Sequence, residues 1–125
     1  MADIKFTVLA VDDVSTNLQI LNTILRDKYF VKVATSGLRA IQIAASLPSP
    51  DIILLDLIMP EMDGHEVCRK LKLNDITKHI PVIFLTAKSS LETEQECRVA
   101  GAVDYICKPV NPSVLWASLS KHLTP

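Results

Sequence analysis

Asp12 and Asp13 follow the apolar run FTVLAV, Asp56 follows DIILL, and Lys108 follows VDYIC. Charged groups placed where apolar runs end become neighbours if those runs are parallel strands, because the carboxyl ends of an open α/β sheet converge on one crevice. Carboxylates a few Å apart in a poorly solvated crevice cannot all ionise unless a cation joins them. The chemistry implied is therefore binding of a hard divalent metal by carboxylate oxygen, with an ammonium group alongside.

The elements that must hold these groups are legible in the pattern. Apolar runs at Phe6 to Val11, Phe30 to Thr35, Ile52 to Leu55, Val82 to Thr86 and Val103 to Cys107 alternate with longer stretches of helical period, the signature of βαβ units. Four of the runs are rich in branched aliphatics, as burial on both faces requires. Leu18, Leu21, Ile24 and Leu25 mark one helix stripe, and Ala40, Ile41, Ala44 and Leu47 a second before Pro48. Asp63 and Glu66 open a third helix at capping-box spacing, ahead of Val67 and Leu71. Asn111 and Pro112 open the last one, with Val114, Leu115 and Leu119 inward. The fourth helix, from about Ser90 to Ala100 and stopped by Gly101, is the polar exception and should be the most loosely attached. Right-handed crossovers then give an α/β, flavodoxin-like (βα)5 three-layer sandwich. Its parallel five-stranded sheet has the order 2-1-3-4-5, with the topological switch beside Asp12, Asp13 and Asp56.

A chain of 125 residues, 49% hydrophobic and with a net charge of −1, suits one globular domain over residues 1–125, or the N-terminal piece of a longer protein. The charge offers no footprint for nucleic acid or an anionic membrane. The start MADIKFTVLAV is too short in apolar residues for a signal peptide or a membrane span, so a cytoplasmic location is expected. Cys68, Cys97 and Cys107 lack CxxC spacing and read as buried reduced thiols. His65, His79 and His122 lack metal spacing and read as surface residues.

Four motifs in order and register resemble the receiver domains of two-component response regulators, and are similar to the single-domain chemotaxis regulator. They are VLAVDD, LLDLIMPEMDG, IFLTA and DYICKP, and the resemblance spans the whole chain. It implies a Mg²⁺-dependent phosphoacceptor, with Mn²⁺ as a substitute. Asp56 would take a phosphoryl group from a histidine kinase's phosphohistidine, a phosphotransfer protein or a small acyl phosphate. Metal ligands would be Asp12, Asp13, Asp56 and the backbone carbonyl of Ile58, with Asp13 binding directly and Asp12 mainly through water. Lys108 and the Thr86 hydroxyl, together with the Ala87 backbone N–H, would hold the phosphoryl oxygens. Thr86 and Tyr105 would form the switch that reshapes the face of helix 4, strand 5 and helix 5. The resemblance also implies a cis Lys108–Pro109 bond. Apart from its own phosphorylation and dephosphorylation no enzymatic activity is implied. The partners implied are the kinase or phosphotransfer protein, an output domain or downstream protein, and a second copy through the helix 4, strand 5, helix 5 face, with no direct nucleic acid and no membrane. The stretches VDDVSTNLQILNTIL and AGAVDYICKPVNPSVLWASLSKHL are similar to receivers of hybrid kinases and of regulators fused to domains that make or break cyclic di-GMP.

Elementary chemistry agrees with that reading. A carboxylate is a weak nucleophile toward an anionic phosphoryl group, so catalysis must come from in-line positioning and neutralised equatorial oxygens. Singly, each residue has a plainer role: Asp12 or Asp13 as a helix cap, Thr86 as a strand residue, Lys108 as a solvated charge, Tyr105 as fixed packing. Asp63 and Gly64 read as the cap and first turn of the third helix, and Met59-Pro60 as shaping the loop behind Asp56. Trp116 fits either core or a partner contact. The resemblance further implies that Ile58 and Lys88, two residues past Asp56 and Thr86, flank the route of a hydrolytic water, where their bulk and length should prolong the phosphorylated state. A haloacid-dehalogenase-type phosphatase needs a second acid where Ile58 stands, and a flavodoxin would not place Asp12 and Asp13 in its phosphate loop. A phosphorylation-independent pseudo-receiver normally lacks one of the groups retained here.

Overall fold

The computed structural model describes residues 5–87 and 91–123. The chain runs β1 (Thr7–Val11), α1 (Ser15–Leu25), β2 (Phe30–Ala34), α2 (Gly37–Ala45), β3 (Ile52–Asp56), α3 (Gly64–Leu73), β4 (Val82–Thr86), α4 (Leu91–Ala100), β5 (Asp104–Cys107) and α5 (Pro112–His122). Every strand pairing is parallel, and the sheet order is β2-β1-β3-β4-β5. This is the expected flavodoxin-like arrangement, and the order reverses between β1 and β3.

The period of two in the strands divides the core into two layers. Leu9, Val11, Ile53, Leu55, Val82 and Phe84 face one side, where Ala40, Ala44, Val67, Cys68, Leu71 and Cys97 from α2, α3 and α4 cover them. Val8, Ala10, Ile52, Leu54, Ile83 and Leu85 face the other, under Leu18, Leu21 and Leu25 of α1 and Leu115 and Leu119 of α5. The central strands β3 and β4 are buried at every position. Their continuous aliphatic runs are what burial on both faces demands.

Local signals set the helix ends. The Asp63 carboxylate accepts from the Glu66 N–H at 3.0 Å, and Asn111 Oδ1 accepts from Ser113 N–H at 2.8 Å with Pro112 in the first turn. Gly101, at φ +97°, ends α4 in the left-handed region. Of α4's residues only Thr93 and Cys97 are buried, while Val99 remains 90% exposed. The expected loose attachment of this helix thus has a structural basis; the Ser90 start lies outside the described residues.

Several expectations change. Leu47 falls beyond the end of α2 and is exposed, Ile24 and Ile41 are half-buried, and Val114 lies on the outer side of α5. Cys107 is exposed because β5 is an edge strand, whereas Cys68 and Cys97 are buried, and burial pushes each of those thiols up to about 11. His65 is half-buried against the Phe84 ring, and His122 is half-buried with Nε2 3.3 Å from Asp104 Oδ2, so only His79 is an exposed surface histidine. Trp116 joins the second core layer, with Nε1–H donating to the Ile24 carbonyl at 3.3 Å and the Lys28 ammonium 4.8 Å over the ring. No helix among the described residues is long and apolar enough to cross a membrane.

The layering makes a direct prediction. Phe84→Ala should cost about 3–5 kcal/mol in urea unfolding, while Val114→Ala should stay within about 0.5 kcal/mol of the parent.

Candidate functional site

Each charged group is placed by the end of a strand. Asp12 follows β1, and its N–H extends the β1–β2 ladder by donating to the Ala34 carbonyl at 3.1 Å. Asp56 is the last residue of β3 and Thr86 the last of β4; Lys108 follows β5, its N–H donating to the Thr86 carbonyl at 2.7 Å. The registers Val11 with Leu55, Asp56 with Leu85, and Thr86 with Cys107 align these ends at one height.

Carboxylate oxygens of Asp12, Asp13 and Asp56 lie within 4.8 Å of one another. The Lys108 ammonium sits 2.8 Å from Asp56 Oδ1 and 3.5 Å from Asp12 Oδ2. Asp12 and Asp56 are buried, Asp13 is exposed, and Lys108 is half-buried. Burial raises the Asp56 carboxyl above the ordinary range; the hydrogen bond and charge of Lys108 oppose that rise, and the charges of Asp12 and Asp13 add to it. For Lys108, burial alone would favour the neutral amine, but its bond to Asp56 and the charges of Asp56 and Asp12 outweigh it and hold the ammonium above its usual range.

Three carboxylates against one ammonium leave the cluster negative. At an effective dielectric of about 20, each carboxylate pair at this spacing repels by about 3 kcal/mol. An all-oxygen set with one member open to solvent fits a small hard cation that keeps part of its water shell. Among the described residues this is the one grouping of His, Cys, Asp or Glu suited to a metal, so the histidines and cysteines form no second centre.

Asp12 is further tied down. Its Oδ1 accepts from the Val14 N–H at 2.9 Å, and its Oδ2 from Asn17 Nδ2 at 3.0 Å. The plainer reading of Asp12 as a helix cap is therefore partly realised, since Val14 at the N-cap of α1 makes no side-chain cap bond of its own. Thr86 is buried beside the cluster, Ala87 and Ile58 are exposed, and Tyr105 is half-buried against the first core layer. Lys108–Pro109 is cis. Lys88 lies outside the described residues.

Two contributors carry little signal in the sequence. Asn17 is a polar residue in a first helical turn. Gly64 does more than open a turn: a β-carbon there would stand 2.6 Å from the Asp56 carbonyl oxygen and 2.8 Å from the Leu57 Cα. With its N–H donating to the Leu57 carbonyl at 2.8 Å, Gly64 holds α3 directly against the backbone that carries Asp56. The signal available was a glycine directly after the helix cap.

A family model described as response regulator receiver domain matches residues 8–120. A probable cyclic di-GMP phosphodiesterase of Vibrio cholerae serotype O1 is 46% identical over 117 residues, which cover 94% of this chain and 26% of that protein. This chain spans about a quarter of the length of the first curated relatives it matches. Among solved structures, the Vibrio cholerae chemotaxis protein CheY4 superposes with a TM-score of 0.89 at 33% identity, covering 96% of this chain and 100% of that one. The receiver domain of the sensor histidine kinase PA1611 from Pseudomonas aeruginosa has a TM-score of 0.83 at 28% identity. It covers 94% of this chain and 97% of that one, and it holds a magnesium ion in its active-site cleft.

Gly64→Ala should push α3 away from the Asp56–Leu57 backbone. A loss of about 1–3 kcal/mol in urea unfolding is expected, with changed amide shifts at Asp56 and Leu57.

Proposed function

Because the chain belongs to the response regulator receiver domain family, we propose that it is a Mg²⁺-dependent phosphoacceptor whose Asp56 is phosphorylated from a phosphohistidine donor. The observation that carries this reading is the meeting of the Asp12, Asp13 and Asp56 carboxylates with the Lys108 ammonium at 2.8 Å from Asp56. When bound, Mg²⁺ would neutralise the carboxylates and the equatorial phosphoryl oxygens, with Mn²⁺ as a substitute. Asp12, Asp13, Asp56 and the Ile58 carbonyl are the residues that would hold it.

On this reading Asp56 attacks phosphorus through one carboxylate oxygen. The acyl-phosphate bond forms as the phosphorus–nitrogen bond to the donor imidazole breaks, and the imidazole leaves with that electron pair. Lys108 exchanges its hydrogen bond from Asp56 to a phosphoryl oxygen, and the Thr86 hydroxyl and Ala87 N–H donate to others. Thr86 drawn toward the phosphoryl group leaves room for Tyr105 to turn inward. This repositions α4, which has few buried residues to hold it. The bulk of Ile58, which stands open to solvent beside the acceptor, hinders hydrolytic water.

The partners proposed are a histidine kinase or phosphotransfer protein as donor, and an output domain or downstream protein as target. Pairing of two copies through α4, β5 and α5 is a further part of the proposal. The single receiver unit over 1–125 and a cytoplasmic location remain part of the same reading. The 46% identical relative favours an output acting on cyclic di-GMP.

With acetyl phosphate and Mg²⁺, the parent should gain one phosphoryl group by intact-protein mass spectrometry and Asp56→Asn none; label persisting in the mutant would refute the acceptor. In the same assay, label on Ile58→Asn should decay several-fold faster than on the parent.

A further inference from the structure

Asp12 Oδ2 meets two groups: it accepts from the Asn17 side-chain amide at 3.0 Å, from the first turn of α1, and forms an ion pair with the Lys108 ammonium at 3.5 Å, from the loop after β5. Its other oxygen is held by the Val14 N–H at 2.9 Å. The carboxylate is only 1% exposed, so each of its hydrogen bonds matters, whereas Asn17 is half-buried and reaches it from the side. Asn17, Asp12 and Lys108 are among the residues lining a cavity of about 200 Å³, together with Leu21, Leu85 and Pro109.

We propose that Asn17 is a positioning residue for the metal-binding carboxylates, fixing Asp12 so that the Lys108 ammonium stays on Asp56 instead of settling on Asp12. The inference rests on the proposed Mg²⁺ site. An amide N–H suits the task because it satisfies one lone pair of Asp12 Oδ2 without adding charge. A cation in its place would compete with the metal, and a carboxylate would add to the repulsion. Without the amide, Oδ2 is left to Lys108 alone, the buried carboxylate draws the ammonium inward, and a bound cation must displace that ammonium. The energetics therefore fall on metal affinity. Once Mg²⁺ saturates the site, the displacement has already occurred.

Asn17→Leu removes the donor at nearly constant size. Titrated with Mg²⁺ and followed by amide shifts in NMR, it should bind about tenfold more weakly than the parent, as loss of a hydrogen bond to a charged group implies. In acetyl phosphate labelling the Mg²⁺ concentration for half-maximal rate should rise by the same factor, while the rate at saturating Mg²⁺ stays within about twofold. A variant that loses thermal stability yet binds Mg²⁺ like the parent would reduce Asn17 to a local turn residue and overturn the proposal. A second measurement does not depend on how that variant folds. In the metal-free parent, the Asn17 side-chain amide protons should exchange with water about tenfold more slowly than in Asp12→Ala, and equal rates would contradict the hydrogen bond. If the parent binds Mg²⁺ but takes no phosphoryl label, the phosphoacceptor reading fails and the Mg²⁺ titration still judges Asn17. If the parent labels and Asn17→Leu binds Mg²⁺ unchanged, only the role of Asn17 fails.

Discussion

The C-terminal edge of the sheet depends on one electrostatic imbalance. Three carboxylates lie within 4.8 Å of one another, and one ammonium, 2.8 Å from Asp56, is shared between two of them. Burial does not favour that arrangement, since it raises the Asp56 carboxyl and the acidic neighbours raise it further. What sustains it is the rigidity beneath. β3 and β4 are buried on both faces, and the parallel registers bring their ends level. A cation would relieve the imbalance, and an anionic phosphoryl group on Asp56 would need that cation and the ammonium beside it, which would couple the two.

The same layering explains how a local charge change could reach a surface. Tyr105 lies in β5 beside Phe84 of β4, two residues before Thr86, and is half-buried rather than locked. Next to it α4 buries only Thr93 and Cys97, while α3 buries Gly64, Val67, Cys68 and Leu71. An element held by so few apolar contacts can shift for a few kcal/mol. α3, with more buried residues against the central strands, would cost more to move.

Much of this was legible in the residues. Strands with two-sided burial announce themselves as aliphatic runs, and an acid or lysine just beyond such a run marks the crevice whatever the sequence distance. Helix stripes were less secure. Leu47 fits an i, i+3, i+4 pattern with Ala44, but α2 ends at Ala45; Val114 borders Leu115 in sequence, but α5 presents a narrower face. Cys107 looked buried in an apolar run because an edge strand cannot be recognised until the order of the sheet is known. The contacts of Asn17 with Asp12, and of His122 with Asp104, depend on how a helix meets a strand end. No periodicity encodes that meeting, so a polar residue in a first or last turn reads as solvated surface.

If the acids, the lysine and Thr86 act as one device, adding beryllofluoride with Mg²⁺ and mapping backbone amide shifts should show it. Saturable shifts are expected at Asp12, Asp56, Thr86, Ala87 and Lys108 that extend to Tyr105 and α4, and that vanish in Asp56→Asn. Shifts confined to the acidic residues, or an equal response from Asp56→Asn, would contradict it.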